Sequence, residues 1–221
     1  MTAPVGILLA AGRGRRFDPS GVRNKLLQPL ASGEPVVAAS ARALLAVLPT
    51  VVAVVAPDDG GVADTLRALG CEVTVCAGAD QGMAASLVHA LRHSMPGAKA
   101  WLVALGDMPR VRESTIRALA DAVANGAEIA APVHGGRRGN PVAFGAACLP
   151  ALLALQGDEG ARRILKLRQV TEVKVDDAGI FQDVDQPSDL RSDYTNNYPG
   201  RQGSDPGVSV KGADPGSETS T

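Results

Sequence analysis

The stretch Leu8-Leu9-Ala10-Ala11-Gly12-Arg13-Gly14-Arg15-Arg16-Phe17 runs from aliphatic side chains into a glycine-rich turn crowded with guanidinium groups, and Lys25 follows shortly after. Gly12 and Gly14 let backbone N–H groups close on an anion, and Arg13, Arg15, Arg16, Arg23 and Lys25 face only Asp18 in the local sequence. The chemistry this suits is holding a polyphosphate. The two commonest phosphate loops do not fit. Phe17 stands where a dinucleotide fingerprint needs its third glycine, and Lys25 lies between Asn24 and Leu26 instead of in a Gly-Lys-Ser/Thr run.

Carboxylates supply the second half of such a site. Asp107 follows Gly106 at the end of the apolar run Trp101 to Leu105, where a hard oxygen ligand can hold Mg²⁺ against a phosphate, or cap the turn before Met108-Pro109. The segment Asp183-Val184-Asp185-Gln186-Pro187 offers a second ligand, Asp185 ahead of Asp183, or else a cap for a short helix over Pro187 to Arg191. No Ser-His-Asp set and no Gly-x-Ser-x-Gly elbow accompanies them. Attack by a phosphate oxygen, already ionised near neutral pH, needs neither. His89 and His93 share a helix face but lack a third ligand, so they read as surface histidines, and Cys71, Cys76 and Cys148 read as free packing thiols.

The order Leu-Ala-Ala-Gly-x-Gly-x-Arg-Phe, then Lys, resembles the amino-terminal signature of nucleotidyltransferases that activate sugars, isoprenoid precursors and molybdopterin. Over residues 5–190 the likeness is greatest to the molybdenum cofactor cytidylyltransferase (MocA-like) group of the MobA-like NTP transferase family. It is carried by Gly82-Met83 with Ser86-Leu87, Gly106-Asp107-Met108-Pro109, Arg138-Gly139-Asn140-Pro141, Gly157-Asp158-Glu159-Gly160-Ala161-Arg162 and Asp183 to Leu190. The resemblance implies transfer of CMP from CTP to the terminal phosphate of molybdopterin with release of pyrophosphate, Mg²⁺ being the cofactor. It assigns Arg16, Lys25 and Asp107 to catalysis, and Leu9, Ala10, Ala11, Gly12, Arg13, Gly14, Lys25, Gly82, Met83 and Ser86 to the nucleotide. Asp107 and Asp185 go to the metal, and Arg137, Arg138, Gly139, Asn140, Asp158 and Arg162 to the acceptor. Related guanylyltransferases carry glycine where this chain has Ala11, which favours cytosine over guanine. Two departures stand out: the longer loop from Asp18 to Asn24, and Asn140 where close relatives often have histidine. The same chemistry with another NTP, such as GTP, or with another phosphorylated acceptor is the alternative. So is a non-catalytic accessory protein that hands cofactor to a client molybdenum enzyme.

These residues need a scaffold, and the pattern supplies one. Short apolar runs alternate with segments of helical period, the mark of a mostly parallel sheet covered on both faces: a three-layer α/β/α, Rossmann-like sandwich. Strands are expected at Val5 to Ala10, Val51 to Val55, Glu72 to Val75, Trp101 to Leu105, Ile129 to Val133, Val142 to Phe144 and Thr171 to Val175. Helices are expected near Pro35 to Leu48, Val62 to Leu69, Ala84 to Ser94, Ser114 to Ala124, Cys148 to Leu155 and Gly160 to Leu167. Gly135 to Gly139 reads as a hairpin or an insertion off the sheet edge. Ligands of such sheets collect at the carboxyl ends of the strands, where the basic loop, Asp107 and the Gly82 to Ser86 turn should converge.

With 221 residues, 45% hydrophobic and 20% charged, the chain reads as one domain over residues 1–194. A polar tail rich in Gly, Ser, Pro and Asp over 195–221 is expected to be disordered. A net charge of -1 gives no reason to expect nucleic acid or a membrane surface as a partner. No leader or spanning segment is evident, so a cytoplasmic location is expected.

Overall fold

The structure is a computed structural model that describes residues 3–95, 97–157 and 161–191. The expected tail and Asp158 lie outside these residues.

Strands β1 (Val5–Leu9), β2 (Val51–Val55), β3 (Glu72–Val75) and β4 (Ala100–Leu105) pair in parallel in the order β3-β2-β1-β4. The side chains of β1, β2 and β4 are apolar on both faces because both faces are covered, whereas β3, at the sheet edge, carries the exposed Glu72 and Val75. Ile7 packs with Val52, Val54, Trp101 and Val103 on one side, and Leu8 with Ala53, Val55, Leu102 and Ala104 on the other. The first side is roofed by α3 (Met83–Ser94), α5 (Leu149–Leu153) and α6 (Arg162–Leu167). The second is covered by α1 (Val36–Leu45), α2 (Val62–Ala68) and α4 (Glu113–Ala124). Full burial of each such Leu, Ile or Val contributes about 1.5–3 kcal/mol, so the two clusters hold the three layers together.

Beyond β4 the sheet changes direction. Strand β5 (Ile129–His134) turns through Gly135 and Gly136, both at positive φ, into the two-residue β6 (Arg137–Arg138). After Asn140 and Pro141 the return strand β7 (Val142–Gly145) pairs antiparallel with both β4 and β5. The expected hairpin is therefore real and inserted into the sheet. Strand β8 (Thr171–Lys174) pairs in parallel with β5. Among the described residues no helix is long and apolar enough to cross a membrane.

Element boundaries follow the sequence reading within one to three residues, since apolar period and glycine stops govern both. Gly70 (φ +97°) closes α2 as expected, and Pro35 sits at the start of α1. Four single-turn 3₁₀ segments were not legible: Lys25–Leu27, Ala79–Gln81, Ala146–Cys148 and Ala178–Phe181. Each is too short to show a period.

Candidate active site

The site forms where the strand order switches. Strand β1 leads to β2 on one side while β4 lies on its other side, so the loops after β1 and β4 leave the sheet side by side, with Leu9 opposite Leu105. Gly106 N–H donates to Leu9 O at 2.9 Å, and a Cβ on Gly106 would come within 3.1 Å of that oxygen, so glycine lets the two chains abut. Ser40 of α1 donates to Gly106 O at 3.0 Å and fixes the position from below.

Lys25 is the buried hub. Its backbone begins a 3₁₀ turn capped by the Asn24 side chain, which accepts from Leu26 N at 3.0 Å. Its stem runs along Gly14, where an added Cβ would lie 3.0 Å from Cγ; Gly14 also has φ +59°, so this position favours glycine on both counts. The Lys25 ammonium donates to Asp107 Oδ2 at 2.6 Å and to Asp185 Oδ1 at 3.4 Å. Arg16 bonds the other Asp185 oxygen from the solvent side. The loop and the carboxylate after Leu105 thus meet in one place.

Neither aspartate is used as a cap. Asp189 Oδ2 accepts from Asp185 N at 2.9 Å and Gln186 N at 2.7 Å, which leaves the Asp185 carboxylate to turn inward. Asp107 Oδ1 is buried and has no hydrogen-bond partner. An orphaned carboxylate oxygen beside a second carboxylate fits a hard divalent cation, whose remaining ligands would be phosphate oxygens and water. Among the described residues no group of three or more His, Cys, Asp or Glu side chains is placed to hold a metal ion by itself. Asp183 is nearby; desolvation, with Asp185 and Asp107 adding repulsion against the attraction of Lys25, pushes its carboxyl above the usual range.

The segment carrying Asp183 and Asp185 is held by interactions that sequence reading missed. Asp177, buried, accepts from Thr115 Oγ1 at 2.7 Å, Arg112 N at 2.9 Å and Gly179 N at 2.9 Å. Val184 N–H then donates to Asp107 O at 2.8 Å, which ties the two carboxylate-bearing strands of chain together. In the sequence Asp176-Asp177-Ala178-Gly179 carries no local sign of this brace.

A cavity of about 520 Å³ lies in front of the hub, lined by Leu9, Ala11 to Arg16, Ala79, Asp80, Gly82, Met83, Ser86, Leu105 and Asp107. Gly82 (φ +113°) starts α3, so the first turn of that helix opens onto the cavity with its partial positive charge. Ser86 is buried on the lining and Met83 is exposed at its rim. A second cavity of about 430 Å³ lies on the other side of the loop, lined by Ala10 to Arg13, Arg15, Asp18 to Gly21, Arg23, Asn24, Ala56, Asp58 and Asp59. The nucleotide-side residues named from sequence therefore surround one space, apart from Ala10, on the second cavity, and Lys25, buried beneath the loop.

The loop cations are not unopposed, as the local sequence implied. Arg13 forms a bidentate pair with Asp80, both contacts 2.5 Å, across the mouth of the larger cavity. That hydrogen bond holds the Asp80 carboxyl below its usual range. Asp18 accepts from Ser20 Oγ at 2.6 Å, Arg23 N at 2.7 Å and Ser20 N at 3.0 Å, an internal frame for the long 18–24 loop. Ser20 and then Arg23 N–H lower its pKa. Asp80 and Asp185 are distant in sequence, so their opposition could not be read locally.

Among the described residues, those assigned to the acceptor side do not line these two cavities. Arg138 pairs with Glu172 at 2.8 Å, the Arg137 guanidinium lies 4.7 Å over the Phe181 ring, and Arg162 is exposed on α6. Gly139 and Asn140 are linked to the site indirectly. A Cβ on Gly139 would meet Ile180 O at 2.5 Å, and Asn140 N donates to that oxygen at 3.0 Å, so the hairpin lies against the segment that leads to Asp183. His89 is half-buried on Thr74 at 2.8 Å and His93 pairs with Glu72 at 2.8 Å. The three cysteines are free and buried.

The model of the MobA-like NTP transferase domain matches residues 6–174. The chain is 28% identical over 200 residues to the purine catabolism protein PucB of Bacillus subtilis, covering 84% of this chain and 93% of that protein. Among solved structures it is similar to Rv0371c of Mycobacterium tuberculosis, at 27% identity and a TM-score of 0.74 over 85% of this chain and 95% of that one. The manganese complex of Rv0371c superimposes with a TM-score of 0.69 at 26% identity over 85% and 96%. A nucleotidyl transferase of Methanothermobacter, Mth528, gives 0.71 at 25% identity over 86% and 94%.

Proposed function

This chain belongs to the MobA-like NTP transferase family and is a nucleotidyltransferase; we propose that its donor is CTP and its acceptor the terminal phosphate of molybdopterin. The observation that carries this reading is the Lys25, Asp107 and Asp185 cluster set directly behind a cavity lined by the glycine loop and the start of α3.

An acceptor phosphate oxygen attacks the α-phosphorus of the NTP, the α–β bridging P–O bond breaks, and pyrophosphate leaves with the electron pair. No base is needed because the attacking oxygen is already ionised. The backbone of Ala11 to Gly14 and the first turn of α3 hold phosphate and ribose, and Ser86 offers a hydroxyl on the lining. Lys25 and Arg16 neutralise the charge that builds on the leaving pyrophosphate, Arg16 by a planar fork and Lys25 as a point charge. Asp107 and Asp185 would hold Mg²⁺, which supplies Lewis-acid neutralisation at the α-phosphate when bound.

Ala11 lines both cavities, and its methyl narrows the space for a base, which supports cytosine over guanine. Arg137 to Asn140, Asp158 and Arg162 are assigned to the acceptor side by resemblance alone. The likeness to a purine catabolism protein supports a client enzyme in that area of metabolism, and with it the second reading, a carrier that delivers cofactor without making it. Incubation with Mg²⁺, each NTP and phosphorylated pterin, scored by pyrophosphate release and product mass, tests both. CTP-dependent turnover lost in Asp107→Asn is the expected result. Binding of nucleotide and pterin with no turnover would replace the transferase reading with the carrier.

A further inference from the structure

The geometry points to a competition: we infer that the Lys25 ammonium and a divalent cation claim the same place between Asp107 and Asp185, so metal binds well only when a nucleotide phosphate draws the lysine away. This rests on the nucleotidyltransferase reading of the site and adds an order of events to it.

Lys25 already fills the role of a cation. Its ammonium lies 2.6 Å from Asp107 Oδ2 and 3.4 Å from Asp185 Oδ1, so it draws on both carboxylates that suit a metal. The remaining Asp107 oxygen is buried without a partner, a vacancy in hydrogen bonding that a protein rarely leaves. A dication placed within about 4 Å of an ammonium in a partly desolvated site is strongly repelled, so the two are not held together. Exchange requires Lys25 to swing its ammonium away from the carboxylates. Its backbone is fixed in the 3₁₀ turn, but its stem passes along Gly14 beneath the phosphate loop, with no side chain of residue 14 to trap it. Rotation about the stem carries the ammonium from the carboxylates towards anions held by that loop.

Linkage then follows. A phosphate that engages Lys25 raises metal affinity, and metal raises nucleotide affinity by the same factor. The free protein resists loading with metal, and the metal–nucleotide complex is the form taken up. Arg16 shares Asp185 but is solvent-exposed and bonds only the outer oxygen, so it screens the site without filling it.

The test is titration with Mn²⁺ alone, followed by electron paramagnetic resonance, on the wild type, Lys25→Met and Arg23→Met. Arg23 is a cation of the same loop that faces Asp18 instead of this cluster. Lys25→Met should bind Mn²⁺ about tenfold or more tightly than the wild type, and Arg23→Met should stay within about twofold. Equal or weaker binding by folded Lys25→Met overturns the competition. A measurement on the wild type covers the case in which that variant does not fold: Mn²⁺ should speed acetylation of Lys25 several-fold by mass spectrometry, because displacement frees the amine. An unchanged or slower rate overturns the proposal. Neither readout needs turnover, so failure here with intact pyrophosphate release would leave the transferase reading in place.

Discussion

Lys25→Met and Asp107→Asn each remove one member of the same ion pair, yet their effects on stability should differ several-fold. Lys25 is buried and answers Asp107 and Asp185 directly, with Asp183 close enough to feel its charge. Its loss leaves carboxylates facing one another with only the exposed Arg16 in contact. Removing one partner of a buried pair costs about 3–5 kcal/mol, and the partial exposure of the two aspartates places this case at the lower end, about 3 kcal/mol. Asp107→Asn acts differently. The amide oxygen still accepts from Lys25, Asp185 remains at 3.4 Å, and repulsion among the carboxylates falls. The expected cost is about 1 kcal/mol or less. Urea unfolding at neutral pH with chelator present reads the difference. With a slope near 2 kcal/mol/M, the midpoint should fall by about 1.5 M for Lys25→Met and by about 0.5 M or less for Asp107→Asn. The lysine variant should also recover towards wild type in mild acid. A carboxyl whose folded pKa is raised, as for Asp183, costs stability above that pKa and ceases to do so as pH falls through it. Equal losses, or a larger loss for Asp107→Asn, would show that Lys25 is not the charge that balances this cluster.

Gly179→Ala should cost about 2–3 kcal/mol or more in chemical denaturation, because its Cβ would sit 2.0 Å from Arg110 O, whereas Gly12→Ala, with nothing within 4 Å, should leave stability unchanged and weaken nucleotide binding alone. Asp18→Asn should reduce stability at neutral pH, and the gap to wild type should close in acid: its lowered carboxyl pKa gives stability that is present above about pH 4 and lost as pH falls through the folded value, which an acid-unfolding series would show. Burial pushes the Cys71 and Cys148 thiols up to about 11, so a thiol reagent at pH 8 should label them only as fast as the chain opens. Asp80→Asn should tighten nucleotide binding in calorimetry by releasing Arg13; weaker binding would instead make Asp80 a contact of the nucleotide.

The aliphatic runs of β1, β2 and β4 were legible because a strand buried on both faces has no polar alternation to confuse it, and the stops at Gly70 and Asn125-Gly126 marked helix ends. Asp107 was legible for the same reason, since it ends such a run. What escaped was set by contacts between distant segments. The frame of Asp177 depends on residues more than sixty positions away, and the Arg13–Asp80 pair spans a separation of 67. Asp189, not Asp185, caps the final turn, a choice the pattern Asp-Gln-Pro-Ser-Asp leaves open. The hairpin arginines show the converse. Their types suggested an anion site, but Arg138 is engaged by Glu172 and Arg137 by Phe181, partners that only pairing of β5 with β6 and β8 brings near.

The resting charge balance of the loop has a consequence for binding energy. Arg13 is paired with Asp80, Arg16 with Asp185, Arg23 with Asp18, and Lys25 with Asp107 and Asp185. A triphosphate therefore gains contacts with these cations only by replacing carboxylates, and its affinity is a difference between two sets of ion pairs. Arg15, which lines both cavities, forms no salt bridge among the described residues, so it can meet the incoming anion without an exchange. The exposed pairs break first because each is worth little in water, and the buried Lys25 contacts break last. Such an arrangement keeps five clustered cations compatible with a folded loop, and under the proposed exchange a dication held by Asp107 and Asp185 would replace the charge that Lys25 withdraws.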